Sequence, residues 1–228
     1  MIAENIKKIK EQVAQIALQC DRDPHDIRTI AVSKKFPPSA ITEAIEAGQF
    51  LFGENYIQEA ELKQDAFVDA VNLHFIGHLQ TNKAKIACQL FQMIETVDRL
   101  KLAKALNKHL SVVNRTMKIL IQVNIGRDLN KSGVMPEEAE DLIREIQPLP
   151  ALEIHGLMTI PPFSQTAEES RIHFRSLKLL AEELKEKNLI GISHPVELSM
   201  GMSKDFHVAI EEGATLIRIG TAIFGPRT

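Results

Sequence analysis

The chain has 228 residues, of which 44% are hydrophobic and 25% are charged, and its formal net charge is −3. This length and apolar content predict one globular domain over residues 1–228, because single α/β barrels commonly contain about 200–250 residues. The slight negative charge argues against a nucleic-acid surface, which would show a clustered basic excess, and no run of about 18 apolar residues indicates a membrane span.

The first predicted element is an amphipathic helix at the N-terminus. Its apolar residues recur at spacings of four and three, which place them on one helical face. They are Ile2, Ile6, Ile9, Val13 and Ile16. Charged residues interrupt this series, so the segment is not a secretory signal. Since Cys20 and Cys88 are also too few for a disulfide framework, the sequence predicts a cytoplasmic protein.

After this helix, short apolar runs alternate with helix-length segments, which predicts βαβ units and a parallel sheet. The predicted strands are Thr29–Ser33, Phe50–Phe52, Leu73–Ile76, Met93–Val97, Met117–Val123, Leu152–Met158, Val196–Met200 and Thr215–Ile219. Eight such units in a chain of this length predict a closed (β/α)8 barrel. An open doubly wound sheet is the alternative, but the segment after the first strand, 33–38, lacks that fold's glycine fingerprint.

Lys34 directly follows the first predicted strand. Because side chains alternate along a strand, Lys34 shares a face with Ile30 and Val32, whereas Lys35 lies on the opposite face. Branched residues fill barrel interiors, so Lys34 is predicted to enter the barrel mouth. Partial desolvation there favours the neutral amine, which is a nucleophile toward a carbonyl. The alternative is a surface lysine whose ammonium reaches solvent.

Two loops at the same end of the predicted barrel could bind an anion. Segment 199–203 (SMGMS) follows the seventh strand, and Gly220-Thr221 follows the eighth. Glycine permits close backbone approach, and backbone N–H groups at a helix start attract a phosphate. Ser203 is also predicted to cap a helix beginning near Lys204, which alone would explain its position. Arg218, a permanent cation that only donates, would there face a carboxylate or a ring nitrogen, or form a structural salt bridge.

The sequence predicts no metal site. His74 and His78 are four residues apart, but they bracket a strand end rather than share a helix face, so zinc-site spacing does not apply. The chain also contains neither a P-loop nor a G-x-G-x-x-G run.

Six motifs occur together in one order. They are AVSK at 31–34, FGENY at 52–56, HFIGHLQ at 74–80, GLM at 156–158, LSMGMS at 198–203 and RIGTAIFG at 218–225. In combination they resemble the pyridoxal phosphate homeostasis protein family, and the resemblance runs from about Ile30 to Arg227. The last two motifs are the most specific.

The resemblance implies the fold of the barrel domain of alanine racemase, which is PLP fold type III, and pyridoxal phosphate (PLP) as cofactor. It implies that Lys34 forms the Schiff base and that Arg218 faces the pyridine nitrogen. The residues implied around the phosphate are Ser199, Gly201, Ser203, Gly220 and Thr221, and those implied beside the ring are Asn55 and Met158. Segment 130–133 (NKSG) matches a family segment that places a second lysine, here Lys131, near the mouth. The preceding segment 126–129 departs from the family pattern.

The function implied by the resemblance is to hold and deliver PLP and to balance vitamin B6 and amino-acid pools, without an assigned turnover. PLP-dependent client enzymes would be partners, and the chain would be a monomer. An amino-acid racemase is the alternative. Racemisation requires a base on each face of the α-carbon, and Tyr56, the sole tyrosine, cannot be assumed to supply the second. A third possibility is an aldolase-type barrel that uses lysine without a cofactor, which the resemblance argues against.

Overall fold

The computed structural model describes residues 1–67 and 70–226. Within these residues, parallel strands β1 to β8 form a closed barrel in chain order, and β8 pairs with β1. The strands are β1 Arg28–Val32, β2 Leu51–Glu54, β3 Asn72–Phe75, β4 Met93–Val97, β5 Met117–Gln122, β6 Leu152–Met158, β7 Glu197–Met202 and β8 Leu216–Ile219. The predicted (β/α)8 barrel is therefore confirmed. Arg227, where the family resemblance ends, lies outside the described residues.

Helices follow the strands and surround the barrel. The α-helices are α1 Ile2–Gln19, α2 Pro38–Glu46, α3 Ile57–Leu62, α4 Ala84–Leu90, α5 Leu100–Val112, α6 Ala139–Ile146, α7 Arg171–Glu186, α8 Phe206–Glu211 and α9 Thr221–Phe224. Short 3₁₀ helices cover Pro24–Asp26, Gln64–Ala66, Thr81–Lys83, Pro136–Glu138 and Glu168–Ser170.

Two strands run further toward their carboxyl ends than the sequence predicts. β2 continues through Gly53 and Glu54, which pair with His74 and Phe75 of β3. β7 continues to Met202, and its register with β8 shifts between Ser199 and Met202. A glycine and a glutamate disfavour a strand prediction, but here both residues are buried by tertiary packing.

Alternating side chains separate an inner core from an outer core. Ala31 belongs to the larger outer cluster between the barrel and its helices, whereas Ile30 points into the barrel. The inner cluster consists of Ile30, Met93, Leu120, Met158 and Leu216. The same alternation predicts that the Lys34 side chain points inward. Because the inner cluster fills the barrel, its interior is a packed core rather than a pore.

The N-terminal helix α1 packs against α2, α8 and α9. Four residues of its predicted apolar face are buried, namely Ile2, Ile6, Ile9 and Val13, and Ile16 is half-buried. Ala17, on the last turn of the helix, is also buried. Beyond α1, the Arg22 guanidinium donates to the carbonyl oxygens of Ile210 and Ala214 at 2.7 and 2.8 Å. In the described part of the chain, no helix is long and apolar enough to span a membrane.

An ion cluster joins α7 to the end of α8. The buried Glu212 carboxylate accepts from Arg171 at 2.9 Å and from Arg175 at 2.8 and 3.0 Å. Burial alone would raise the pKa of Glu212, but the hydrogen bonds and charges of Arg175 and Arg171 outweigh it and hold that pKa below its ordinary value. The carboxylate is therefore more strongly stabilised in the folded protein than in the unfolded chain.

We expect Glu212→Gln to lower the free energy of unfolding by about 2 kcal/mol at neutral pH, because hydrogen bonds to a charged group are lost. The lost contribution is fully present above the unfolded-state pKa, about 4.3, and disappears as pH falls through the lower folded-state pKa. Urea unfolding near neutral pH and near pH 3 should show the difference shrinking in acid. Glu182→Gln, in an exposed pair with Lys178 at 3.9 Å, is the control and should change little. A difference independent of pH would contradict this account.

Candidate functional site

A cavity of about 390 Å³ lies at the carboxyl ends of the strands, the end at which barrels of this type carry their sites. Its lining includes six of the nine residues that the resemblance implies at the Schiff base, the phosphate and the ring: Lys34, Asn55, Ser203, Arg218, Gly220 and Thr221. These residues follow or end β1, β2, β7 and β8, so the barrel brings together side chains that are distant in the sequence.

Lys34 lies two residues beyond β1, and its side chain is half-buried. Val32 and Lys34 both line the cavity, while Ile30 lies in the inner core, in agreement with the predicted parity. Lys35 is exposed and has a φ of +65°. The left-handed conformation of Lys35 turns the chain between the end of β1 and the start of α2.

Arg218 is far from Lys34 in the sequence but lines the same cavity. It is only 4% exposed. Its guanidinium donates to Ser199 Oγ at 2.6 Å and to the Thr159 carbonyl oxygen at 2.7 Å. Burial lowers the pKa of Arg218 from its ordinary value, while the negative charges of Glu95 and Asp205 oppose that change. A guanidinium remains protonated in proteins, so Arg218 brings a fixed positive charge to the cavity.

A buried hydrogen-bonded chain supports Arg218 from inside the barrel. Ser199 Oγ, which accepts from Arg218, donates to Glu95 Oε2 at 2.5 Å. The other oxygen of Glu95 contacts His74 Nδ1 at 2.6 Å. These side chains come from β8, β7, β4 and β3, and the Glu95 carboxylate supplies the countercharge that a buried guanidinium needs.

Three predicted residues do not line the cavity. Met158 is fully buried in the inner core, and Ser199 is fully buried between Arg218 and Glu95. An ideal Cβ on Gly201 would lie 2.5 Å from Ala209 Cβ and 3.1 Å from Phe206 Cα. The glycine is thus required where β7 contacts α8, which corrects the interpretation that its role is to let a ligand approach the backbone.

The predicted helix start near Lys204 is wrong, because α8 begins at Phe206. Asp205, the residue before it, accepts from the N–H of Met202 at 2.7 Å. Ser203 Oγ accepts instead from the N–H groups of Gly220 and Ala222, at 3.3 and 3.4 Å. These contacts join the loop after β7 to the loop after β8, so the two predicted halves of an anion site are adjacent.

The loop after β6 is the part of the site that the sequence analysis missed. All residues from 160 to 167 line the cavity, together with Ser170. Two consecutive prolines, Pro161 and Pro162, are typical of a turn, and every turn after a barrel strand lies at the functional end, so this loop could have been assigned to the site. Lys131 also lines the cavity, and its ammonium donates to the Pro161 carbonyl oxygen.

The cavity carries an excess of positive charge. Its described lining contains the cations Lys34, Lys131, Lys204 and Arg218 and one acid, Asp205. Asp205 is engaged by the Met202 N–H and the Ser170 hydroxyl. Asn55 Oδ1 is buried without a hydrogen-bond partner, and a buried polar atom of this kind needs a ligand or water. The cavity is therefore suited to a small anion that also offers a hydrogen-bond donor.

Among the described residues, no group of three or more histidine, cysteine, aspartate or glutamate side chains is arranged to hold a metal ion. His74 is engaged with Glu95 inside the barrel, and His78 Nδ1 contacts Ser132 Oγ at 3.0 Å. The two histidines thus have separate hydrogen-bond partners.

Comparison with known proteins finds relatives over the whole chain. The family model for the alanine racemase N-terminal domain matches residues 2–228. The pyridoxal phosphate homeostasis protein of Pseudomonas aeruginosa PAO1 is 42% identical over 227 residues, which cover 99% of this chain and 96% of that protein. The protein of the same name from Escherichia coli K12 is 39% identical over 231 residues, covering 99% and 97%.

Solved structures show the same likeness. PipY of Synechococcus elongatus PCC7942, in a structure with PLP bound, gives a TM-score of 0.86 at 36% identity and covers 99% of this chain and 100% of that chain. An alanine racemase of Clostridium difficile 630 gives a TM-score of 0.72 at 15% identity, covering 98% of this chain and 57% of that chain. The racemase likeness shows the fold alone.

Proposed function

The chain belongs to the family of pyridoxal phosphate homeostasis proteins, and from that membership we propose that it binds PLP as a Schiff base on Lys34. We further propose that it acts in PLP and amino-acid homeostasis in the cytoplasm without a dedicated catalytic turnover. The relative PipY has been solved with PLP bound. The observation that carries the proposal is that Lys34 and Arg218 line one cationic cavity at the carboxyl ends of the strands.

The cavity residues fit the chemistry of PLP. When bound, PLP supplies an aldehyde that a lysine amine can capture reversibly. Lys34 offers that amine from the end of β1. Its positively charged neighbours suit a phosphate ester, and the unpartnered Asn55 Oδ1 suits a hydroxyl donor.

The loops after β7 and β8 would hold the phosphate. Ser203 Oγ already accepts from two backbone N–H groups, so its own proton remains available to donate to an anion. Gly220 and Thr221 line the cavity beside it, and Lys204 adds a positive charge. Ser199, in contrast, would act on the cofactor only through Arg218, which it contacts.

Arg218 would determine how strongly the cofactor withdraws electrons. A guanidinium only donates hydrogen bonds, so at the pyridine nitrogen it would disfavour protonation of that nitrogen. An unprotonated ring is a weaker electron sink and stabilises a carbanion less. This favours a protein that holds PLP over one that turns over amino acids, but racemases tolerate the same handicap, so it is the weaker of two arguments.

The missing second base supports the same conclusion. Racemisation needs a group of suitable pKa on the face opposite to the lysine. Tyr56 is the sole tyrosine of the chain, it is 53% exposed before α3, and it is not among the described residues that line the cavity. The racemase alternative therefore has no candidate tyrosine for its second base in the described cavity.

The rim of the cavity would permit PLP to reach a client enzyme. Phe163, from the loop after β6, lines the cavity and is 85% exposed. An exposed aromatic ring at the rim of the cavity would give a PLP-dependent client enzyme a side chain to contact, because aromatic residues are enriched in protein-protein interfaces. Sedimentation of the purified protein would test the proposed monomeric state.

The test is a spectrum of the PLP-loaded protein before and after borohydride reduction, followed by peptide mapping. We expect a visible Schiff-base band that reduction removes and an adduct on Lys34. The loaded protein should exchange the α-hydrogen of alanine with solvent deuterium far more slowly than about 1 per second, a typical enzymatic rate. Absence of the band would reject PLP capture. Rapid exchange that required PLP would instead establish the racemase.

A further inference from the structure

A buried charge cluster lies directly behind the segment that carries Lys34. Lys63, the residue after α3, is only 5% exposed. Its ammonium donates to the Ser33 carbonyl oxygen at 2.7 Å, to Glu54 at 2.9 Å and to Glu59 at 2.6 Å. Three acceptors match the three protons of an ammonium group, so this lysine has a complete set of partners outside the cavity lining.

The cluster holds both peptide groups that flank Lys34. On the N-terminal side, the Ser33 carbonyl oxygen accepts from Lys63, and Ser33 Oγ donates to Glu54 at 2.8 Å. On the C-terminal side, the N–H of Lys35 donates to Glu59. The backbone on either side of the Lys34 Cα is therefore fixed from the outer face of the barrel.

The conformation of the chain at this point needs such support. Lys35 has a φ of +65°, and a residue other than glycine keeps that conformation only where its surroundings enforce it. The hydrogen bond from the Lys35 N–H to Glu59 supplies the constraint. It keeps Lys35 exposed on one side while Lys34 enters the cavity on the other.

We propose that Lys63, acting with Glu54 and Glu59, is the positioning group that aims Lys34 at a carbonyl ligand in the cavity. This inference rests on the proposed function, because it assumes that Lys34 captures PLP. Apolar packing could support the loop without the desolvation penalty of buried charges. Hydrogen bonds are directional, so bonds to the two peptide groups that flank Lys34 fix the orientation of its backbone. An amine must be correctly oriented to reach a carbonyl carbon.

The test compares two ligands in Lys63→Met, which keeps the length of the aliphatic stem and removes the ammonium. PLP, which requires correct placement of the Lys34 amine, should bind at least about tenfold more weakly, since small misplacements of a reacting group have effects of this size or larger. Pyridoxamine phosphate has no aldehyde to capture, so its affinity should change less than about twofold. Absorbance and fluorescence titrations measure both affinities.

Glu59→Ala provides a gentler variant if Lys63→Met does not fold. It releases the Lys35 N–H but leaves Lys63 paired with Glu54, and it should also weaken PLP selectively. Glu212→Gln is the matched control, because it disrupts an ion cluster on α7 and α8 and should leave both affinities unchanged.

Equal affinities of wild type and the folded Lys63 or Glu59 variant for PLP would overturn the inference. An equal loss for PLP and pyridoxamine phosphate would overturn it as well, since the whole site would then have been damaged. A failure of the proposed function is distinguishable from both, because wild type itself would then show no Schiff base. A selective loss for PLP in a variant whose wild-type parent forms the Schiff base supports the positioning role.

Discussion

Lys34→Ala is expected to abolish the visible Schiff-base band of the PLP-loaded protein while leaving its thermal unfolding nearly unchanged. The band requires an amine in the cavity, and Lys34 is the lysine that β1 directs into it. The substitution shortens a half-buried side chain that is not a member of the inner cluster, so its effect on stability should be small. Absorbance before and after borohydride reduction, together with a melting curve, measures both outcomes.

Two neighbouring lysines serve as controls for this experiment. Lys35→Ala removes an exposed ammonium next in the sequence, and Lys131→Ala removes one that lines the same cavity. Both variants should keep the band. If mass spectrometry of reduced wild type placed the adduct mainly on Lys35 or Lys131, the assignment of Lys34 would be rejected.

The part of the site that the sequence predicts is the part that follows from local rules. Strand alternation is a local property, so the inward direction of Lys34 can be derived from Ile30 and Val32 alone. The carboxyl ends of parallel strands meet at one end of a barrel, which is why Arg218 and Gly220 could be placed in the same cavity as Lys34.

The supporting contacts are beyond such rules because they depend on tertiary structure. Ser199 and Glu95 are separated by 104 residues in the sequence, yet their side chains are 2.5 Å apart. Glu59 and Lys63 have the spacing of an ordinary exposed helical ion pair. Only the packing of α3 on the barrel buries Lys63 and turns this pair toward the backbone of Lys34.

Gly201 is important in the structure for a physical reason that differs from the one predicted from the sequence. A glycine in a loop after a barrel strand suggests close approach of a phosphate. The structure instead gives Gly201 a φ of +90° at a register shift in β7, with the missing Cβ directed at α8. Because the turn that contains Ser203 and Asp205 directly follows β7, the packing of this glycine sets the position of the loop that lines the cavity.

Gly201→Val is accordingly expected to lower the free energy of unfolding by about 3 kcal/mol or more, from overpacking together with left-handed strain. It should also weaken PLP in the protein that remains folded, because α8 must move to accept the new side chain. Urea unfolding and PLP titration measure the two effects. Ser199→Ala, which removes one bridge between Arg218 and Glu95, should be less damaging, at about 1–3 kcal/mol.

Gly225→Val separates overpacking from backbone strain as causes of the loss expected for Gly201→Val. Gly225 has a nearly identical φ of +88°, but no heavy atom lies within 4 Å of its ideal Cβ, so the substitution introduces backbone strain without a steric conflict. We expect it to cost about 1–3 kcal/mol, because at a ψ of −176° Gly225 occupies a region that other residues rarely adopt, and to leave PLP affinity close to that of wild type. A loss at Gly201 no larger than the loss at Gly225 would show that backbone strain alone matters. A larger loss at Gly201, accompanied by weaker PLP binding, would show that the contact between β7 and α8 positions the loop that we propose to hold the phosphate.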